Sequence, residues 1–136
     1  MFQFSLFFTI AVSGALFVST AFRCKCTQLT NRDQEFKTAS SVFLGEVVGI
    51  LPLEGNPPSQ RLLFRVEKSW KGVTGIRTQI KVGTVLTCGY QFQKGKTYLV
   101  FASDQPPHFT AYCSSTKLAE KASEDIAALG SSIPFK

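Results

Sequence analysis

The chain has 136 residues, with 15 Lys and Arg against 9 Asp and Glu, and a net charge of +6 at neutral pH. Its basic residues are scattered, which predicts a solvated basic surface. The alternative is that this basic surface binds acidic extracellular-matrix polysaccharide weakly. The length excludes two separate cores and fits one domain.

The first 22 residues contain no charged side chain and six phenylalanines, and small residues stand at Ser19, Thr20 and Ala21. This pattern predicts a secretory signal peptide over residues 1–23, which leaves a mature domain at 24–136. An uncleaved signal anchor is the alternative, because no Lys or Arg precedes the apolar run. We therefore expect the mature protein in the extracellular space or matrix, with no membrane attachment after cleavage and no nucleic-acid partner.

The segment TNRDQEFKTAS, residues 30–40, is polar with mixed charge and is predicted to form a short helix. Strands are predicted where residues alternate in polarity or are apolar and β-branched. The five predicted strands are residues 41–51, 61–70, 76–82, 97–102 and 108–113. The first contains two glycines, which indicate a bulge or bend. Loops are predicted at 52–60 and 71–75.

Two of these strands have a clear predicted inner face. In the second strand this face comprises Leu62, Phe64, Val66 and Trp70. In the third strand it comprises Ile76, Ile80 and Val82. The apolar run at 97–102 is typical of a central strand.

The C-terminal segment changes to a helical period from Lys117 onward. Its apolar positions are Leu118, Ala122, Ile126 and Leu129. We predict a cap at Ser114, Ser115 or Thr116, an end at Gly130 and an ion pair between Lys121 and Asp125. Five closely spaced strands followed by a helix favour a mainly β domain, a five-stranded barrel with flanking helices. An open sandwich is the alternative.

The sequence gives little indication of catalysis. His108 is the only histidine, and no GxSxG, HExxH, phosphate-binding or dinucleotide-binding motif occurs. We predict that the protein is not an enzyme and needs no cofactor. Four cysteines in a secreted domain predict two disulfides, for which three connectivities are possible. Their spacing is a poor match to a structural zinc site.

The order of several motifs resembles a known family. A CxC pair opens the predicted mature chain, and it is followed by VFLGEVV, FRVEKSWKG, CGYQFQKGKTYLVFA and YCSST. Over residues 24–129 this order resembles the netrin-like domain, and within it a single-domain member of the tissue inhibitors of metalloproteinases. The resemblance implies an OB-fold-like, five-stranded Greek-key barrel with helices packed on it. It also implies disulfides between Cys24 and Cys88 and between Cys26 and Cys113.

The resemblance further implies a secreted metalloendopeptidase inhibitor. The amine and carbonyl of Cys24 would bind the catalytic zinc of a matrix-metalloproteinase-like protease, and the protein would hold no metal of its own. Lys25 would enter the specificity pocket of the protease. The remaining protease contacts implied by the resemblance are Cys26, Thr27, Leu86, Thr87 and Cys88.

Two positions separate this function from its alternative. Cleavage after Arg23 would free the amine of Cys24, whereas cleavage after Ala21 would leave Phe22 and Arg23 ahead of it. Lys25 requires an acidic pocket, because an ammonium group is costly to bury without a partner. The alternative is a secreted netrin-like module that binds a protein or matrix ligand without inhibiting a protease.

Overall fold

A computed structural model describes residues 31–56, 58–73, 79–85, 90–103, 108–110 and 114–135. The helices are α1 (Arg32–Thr38) and α2 (Ser123–Leu129), with a 3₁₀ turn at Ala119–Lys121. The strands are β1 (Ser41–Leu53), β2 (Ser59–Lys71), β3 (Gln79–Val85), β4 (Thr97–Ala102), β5 (His108–Phe109) and β6 (Lys117–Leu118). The described part of the chain is therefore mainly β, as predicted.

The strands form one sheet in the order β5-β3-β2-β1-β4-β6. Its four long strands, β3, β2, β1 and β4, are antiparallel to one another. The two-residue strands lie at the edges, where β5 is parallel to β3 and β6 is antiparallel to β4. The predicted last strand is seen only at His108–Phe109, since residues 111–113 lie outside the described ranges.

The β1–β2 hairpin is longer than the sequence predicted. Pairing continues to Leu53 and Ser59, so the predicted loop at 52–60 is wrong at both ends. Pro52 is tolerated there because β4 pairs with β1 only from Ser41 to Glu46, and a proline fits a strand edge that needs no backbone donor. Strand β3 continues to Val85, three residues beyond its predicted end, and its predicted start at residues 76–78 lies outside the described ranges.

Bulges interrupt the hairpin, as the glycines of β1 indicated. The pairing skips Glu67 and Trp70 in β2 and Val48 in β1. An extra residue reverses the alternation of side chains beyond it. Trp70 consequently packs on the opposite face of the sheet from the other apolar residues of β2, and the prediction that all of them share one face is wrong for Trp70 alone. The three that do share a face are Leu62, Phe64 and Val66.

The two faces of the sheet carry separate core clusters. Strand β4 contributes to both, as expected of a central strand: Tyr98 and Val100 point to one face, and Leu99 and Phe101 point to the other. The first cluster is Phe43, Val47, Leu62, Phe64, Val66, Val73, Val82, Phe92, Tyr98, Val100 and Ala102. The second is Ala39, Val42, Trp70, Leu99, Phe101 and Ala122, on which Phe36 of α1 and Ile126 and Leu129 of α2 pack.

The C-terminal segment is not the single helix predicted from Lys117. Leu118 pairs with Tyr98 in the sheet and packs on the first cluster, whereas Ala122 packs on the second. Helix α2 begins after Ala122 with no side-chain cap, so the predicted caps at residues 114–116 are wrong. Gly130 ends α2 with φ of 74°, as predicted.

A tail follows α2 and crosses the end of β2. The indole Nε1 of Trp70 donates to the Gly130 carbonyl at 3.0 Å, and the Ile133 amide donates to the Ser69 carbonyl at 2.6 Å. Phe135 then packs against the first cluster. The tail thus passes from the helix-covered face of the sheet to the other face.

One segment connects the two edges of the sheet. Strand β5 pairs with β3, and Thr110 directly after it contacts Thr116, with 3.0 Å between their Oγ1 atoms. The Thr116 Oγ1 accepts a hydrogen bond from the Phe101 amide of β4 at 3.0 Å. Within the described residues no strand pairing closes the sheet into a barrel. Barrel closure and Greek-key order remain predictions.

Candidate functional site

The sequence-predicted site lies outside the described residues, as do all four cysteines. These site residues are Cys24, Lys25, Cys26, Thr27, Leu86, Thr87, Cys88 and Cys113. The structure does describe the chain that leads into or out of each segment. Helix α1 follows the CxC pair, β3 and Tyr90 flank residues 86–89, and Ser114 follows Cys113.

Helix α1 is fixed at both ends by side chains. The Asn31 side chain accepts a hydrogen bond from the Asp33 amide at 2.8 Å, which caps the start of the helix. The Lys71 Nζ donates to the carbonyls of Phe36 and Lys37 at 2.8 and 3.0 Å. A seven-residue helix is unstable alone, so these contacts and its packing on the sheet hold it in place. Lys71 therefore stabilises a helix end and is not simply part of a solvated basic surface.

Glu35 of α1 binds the chain directly after Cys113. One carboxylate oxygen accepts a hydrogen bond from the Ser114 hydroxyl at 2.6 Å, and the other accepts from the Ser115 amide at 2.7 Å. Hydrogen bonds to a charged acceptor are stronger than those between neutral groups. This contact joins the helix that follows the CxC pair to the segment that follows Cys113.

The segment that receives Glu35 is itself attached to β4. The Thr116 hydroxyl lies 2.9 Å from the Ser114 hydroxyl and accepts from the Phe101 amide at 3.0 Å. Thr110 and Thr116 are almost fully buried, and each supplies a hydrogen-bond partner to the other. Buried hydroxyls that are paired in this way fix the local backbone. Residues 114–116 are thus a rigid support and not a helix cap.

Asp125 makes a second connection between α1 and the rest of the domain. Its carboxylate accepts from Arg32 of α1 at 3.0 Å and forms an ion pair with Lys117 of β6. These described partners replace the predicted pair with Lys121. Partial burial raises the pKa of Asp125, but the hydrogen bonds from Lys117 and Arg32 outweigh it and hold that pKa below its ordinary value of 3.8.

Replacing Asp125 by Asn is expected to lower the free energy of unfolding at pH 7 by about 1–2 kcal/mol. Because the folded-state pKa is depressed, the ionised carboxylate contributes stability above about pH 4, and this contribution is lost as pH falls through the folded-state pKa. Urea unfolding of both proteins at pH 7 and near pH 3 measures the loss of stability and its dependence on pH. The difference between the parent protein and Asp125→Asn should shrink at the lower pH. An equal difference at both values would contradict this role.

The segment containing Cys88 connects two well-packed parts of the first cluster. Leu86 follows the end of β3, and Tyr90 lies two residues beyond Cys88. The Tyr90 ring lies 5.0 Å from Phe92 and 5.8 Å from Tyr98, measured between ring centroids. Aromatic packing of this kind stabilises a core beyond the area it buries. The described chain on either side of the predicted contact loop is therefore β3 on one side and a residue packed on the first cluster on the other.

An apolar surface lies at the same end of the sheet as the end of β3, where that loop begins. Val85 pairs with Ser59, and Ser59 pairs with Leu53, so the end of β3 is level with the tip of the hairpin. Leu51 is 56% exposed and Ile50 is 37% exposed there. They belong to a groove of about 270 Å³, which is lined by Gly49, Ile50, Leu51, Arg61 and Leu63.

The sequence did not identify this hairpin surface as a candidate site. Ile50 and Leu51 lie in the predicted first strand, and nothing in the local sequence shows that β4 stops pairing with β1 before them. The one available signal was their position directly ahead of a segment rich in proline. Arg61 takes part in none of the ion pairs found among the described residues, which leaves a cation beside the groove.

Comparison with known proteins identifies no family: no family model matches the chain, and no curated protein is significantly similar to it. Within the described ranges, no group of three or more His, Cys, Asp or Glu side chains is placed to hold a metal ion. In the same part of the chain no helix is long and apolar enough to cross a membrane.

Proposed function

We propose that the protein is a secreted metalloendopeptidase inhibitor that acts through the backbone of Cys24. The observation that carries this proposal is the attachment of α1 by Glu35 to Ser114 and Ser115. Asn31, which caps α1, lies only five residues after Cys26. An N-terminal edge that emerges from a fixed helix loses little conformational freedom on binding, and this favours affinity.

In this proposal the α-amino nitrogen and carbonyl oxygen of Cys24 bind the zinc ion of the target protease and displace its water. An α-amino group has a pKa near 8, so a useful fraction is unprotonated at neutral pH. Disulfides from Cys24 to Cys88 and from Cys26 to Cys113 hold this edge. Lys25 enters the specificity pocket, and its charge selects proteases with an acidic group there.

The proposed fold is the five-stranded Greek-key barrel of the netrin-like domain. Support comes from the segment that leads from β5 through Thr110 and Thr116 to β4, because it brings the two edges of the sheet together. Helices α1 and α2 cover one face, as that fold requires.

The proposal is tested by the N-terminus of the secreted protein. We expect N-terminal sequencing and intact mass to give a chain that begins at Cys24, and we expect that chain to inhibit a matrix metalloproteinase on a fluorogenic peptide. A chain that begins at Phe22 would carry an amide in place of the free amine of Cys24. Such a start in the only secreted form, or full protease activity in the presence of the Cys24 form, would contradict zinc binding.

A second candidate function is favoured by the hairpin surface. Exposed Ile50 and Leu51 beside Arg61 form an apolar groove with a positive edge, which suits a protein ligand that presents an apolar side chain next to a carboxylate. A netrin-like binding module could use this surface without touching zinc. Acidic matrix polysaccharide is a less suitable ligand, since Arg32, Arg65 and Lys117 are already paired with carboxylates.

Retention on immobilised heparin tests the polysaccharide alternative. Because several cations are paired within the domain, we expect elution near physiological ionic strength, about 0.15 M salt. A protein of similar net charge with a clustered basic face serves as the positive control. Retention of this chain to high salt would show a basic surface that the described ion pairs do not account for.

A further inference from the structure

Glu35 is unusual among the acidic residues described, because both of its carboxylate oxygens bind donors on one short segment of chain. Those donors belong to Ser114 and Ser115, 79 and 80 positions away in sequence. Glu35 lies nine residues after Cys26, and Ser114 directly follows Cys113. The contact therefore brings a residue nine positions after Cys26 close to the residue directly after Cys113, although the two cysteines are far apart along the chain.

This proximity affects which disulfides form. Four cysteines allow three pairings, and joining positions 26 and 113 closes a loop of most of the mature chain. The cost of loop closure rises with the logarithm of loop length. Once Glu35 holds Ser114, the path between the two cysteines shortens to about ten residues. Effective concentration falls with the three-halves power of loop length, so this shortening raises it by about 25-fold.

We propose that Glu35 is a positioning residue that directs the formation of the Cys26–Cys113 disulfide. The proposal rests on the disulfide pairing proposed above and does not require protease inhibition. The carboxylate acts before the covalent bond exists, by holding α1 against the segment that follows Cys113. The oxidant is a disulfide of the refolding buffer such as oxidised glutathione: one protein thiolate displaces glutathione to form a mixed disulfide, and the second thiolate then releases another glutathione.

The test is oxidative refolding of the reduced, full mature chain in a glutathione buffer, with disulfides located by peptide mass. Glu35→Ala is expected to slow formation of the isomer with Cys26–Cys113 by about tenfold or more, because bonds to a charged group contribute on this scale. Glu35→Gln keeps one carbonyl acceptor and should give an intermediate rate. Glu54→Gln, an exposed carboxylate in the hairpin, controls for loss of charge.

A second control separates positioning from stability. Val47→Ala removes buried side-chain volume from the first cluster without touching the Glu35 contact, and it should leave the distribution of isomers unchanged. Equal scrambling in Val47→Ala and Glu35→Ala would overturn the proposal, as would parent-like refolding of Glu35→Ala. If the parent protein itself pairs its cysteines differently, the pairing fails and the role of Glu35 fails with it, whatever the inhibition assay shows.

Discussion

One alanine added directly ahead of Cys24 is expected to abolish protease inhibition while leaving the fold intact. The added residue converts the free amine of Cys24 into an amide, which cannot donate a lone pair to zinc, and it fills space at the metal. Loss of about 3 kcal/mol or more of binding free energy corresponds to at least a hundredfold rise in the inhibition constant. The domain should be unaffected, since the described helices and strands begin only at Arg32.

The measurement pairs an inhibition assay with thermal unfolding. A matched control carries one alanine appended after Lys136, at the opposite end of the chain, and should inhibit like the parent. Both extended proteins should unfold at the parent temperature. Unchanged inhibition by the N-terminal extension would rule out the proposed zinc binding and favour the hairpin surface as the binding site.

Gly72→Ala is expected to lower the free energy of unfolding by about 4 kcal/mol or more, or to prevent folding. Gly72 follows β2 with φ of 79°, a conformation that residues with a side chain adopt only at a cost. A Cβ atom there would overlap the Ser40 carbonyl oxygen and lie 3.0 Å from the Ser41 Cα. Both are backbone atoms, one directly before β1 and one in its first residue, and neither can move without shifting the central strands.

Gly95 provides the matched control for this substitution. It has a similar φ of 86°, yet a Cβ atom at Gly95 would meet nothing within 4 Å. Gly95→Ala should therefore show only the backbone cost, about 1–2 kcal/mol. Denaturant unfolding of both variants separates the two effects, and equal losses of stability would show that crowding at Ser40 is not important.

The sequence predicted strands well where a local pattern decided their bounds. Strand β4 was predicted at its observed limits, because its apolar run ends in polar turns on both sides. The hairpin and the C-terminal segment were predicted less well. Pairing across the sheet extends β1 to Leu53 and takes Leu118 out of a helical pattern, and neither interaction has a local signal.

The candidate site could be predicted only in its cysteines and the residues beside them. Glu35 and Asp125 look like ordinary exposed helix acids in the sequence, and their partners are distant in it. The bulges could not be located from the sequence either, since Trp70 continues the alternation of β2 in the sequence and still packs on the other face of the sheet. Such features depend on which strands are neighbours, and that is a property of the whole fold.

Trp70 is the only tryptophan in the chain, and it is 8% exposed with its indole bonded to the Gly130 carbonyl. Intrinsic fluorescence excited at the indole therefore reports on a single location, where β2, α2 and the C-terminal tail meet. The fluorescence emission of a buried indole shifts to longer wavelength when the indole becomes exposed to water. The protein thus contains its own optical probe for detachment of the tail and α2 from the end of β2.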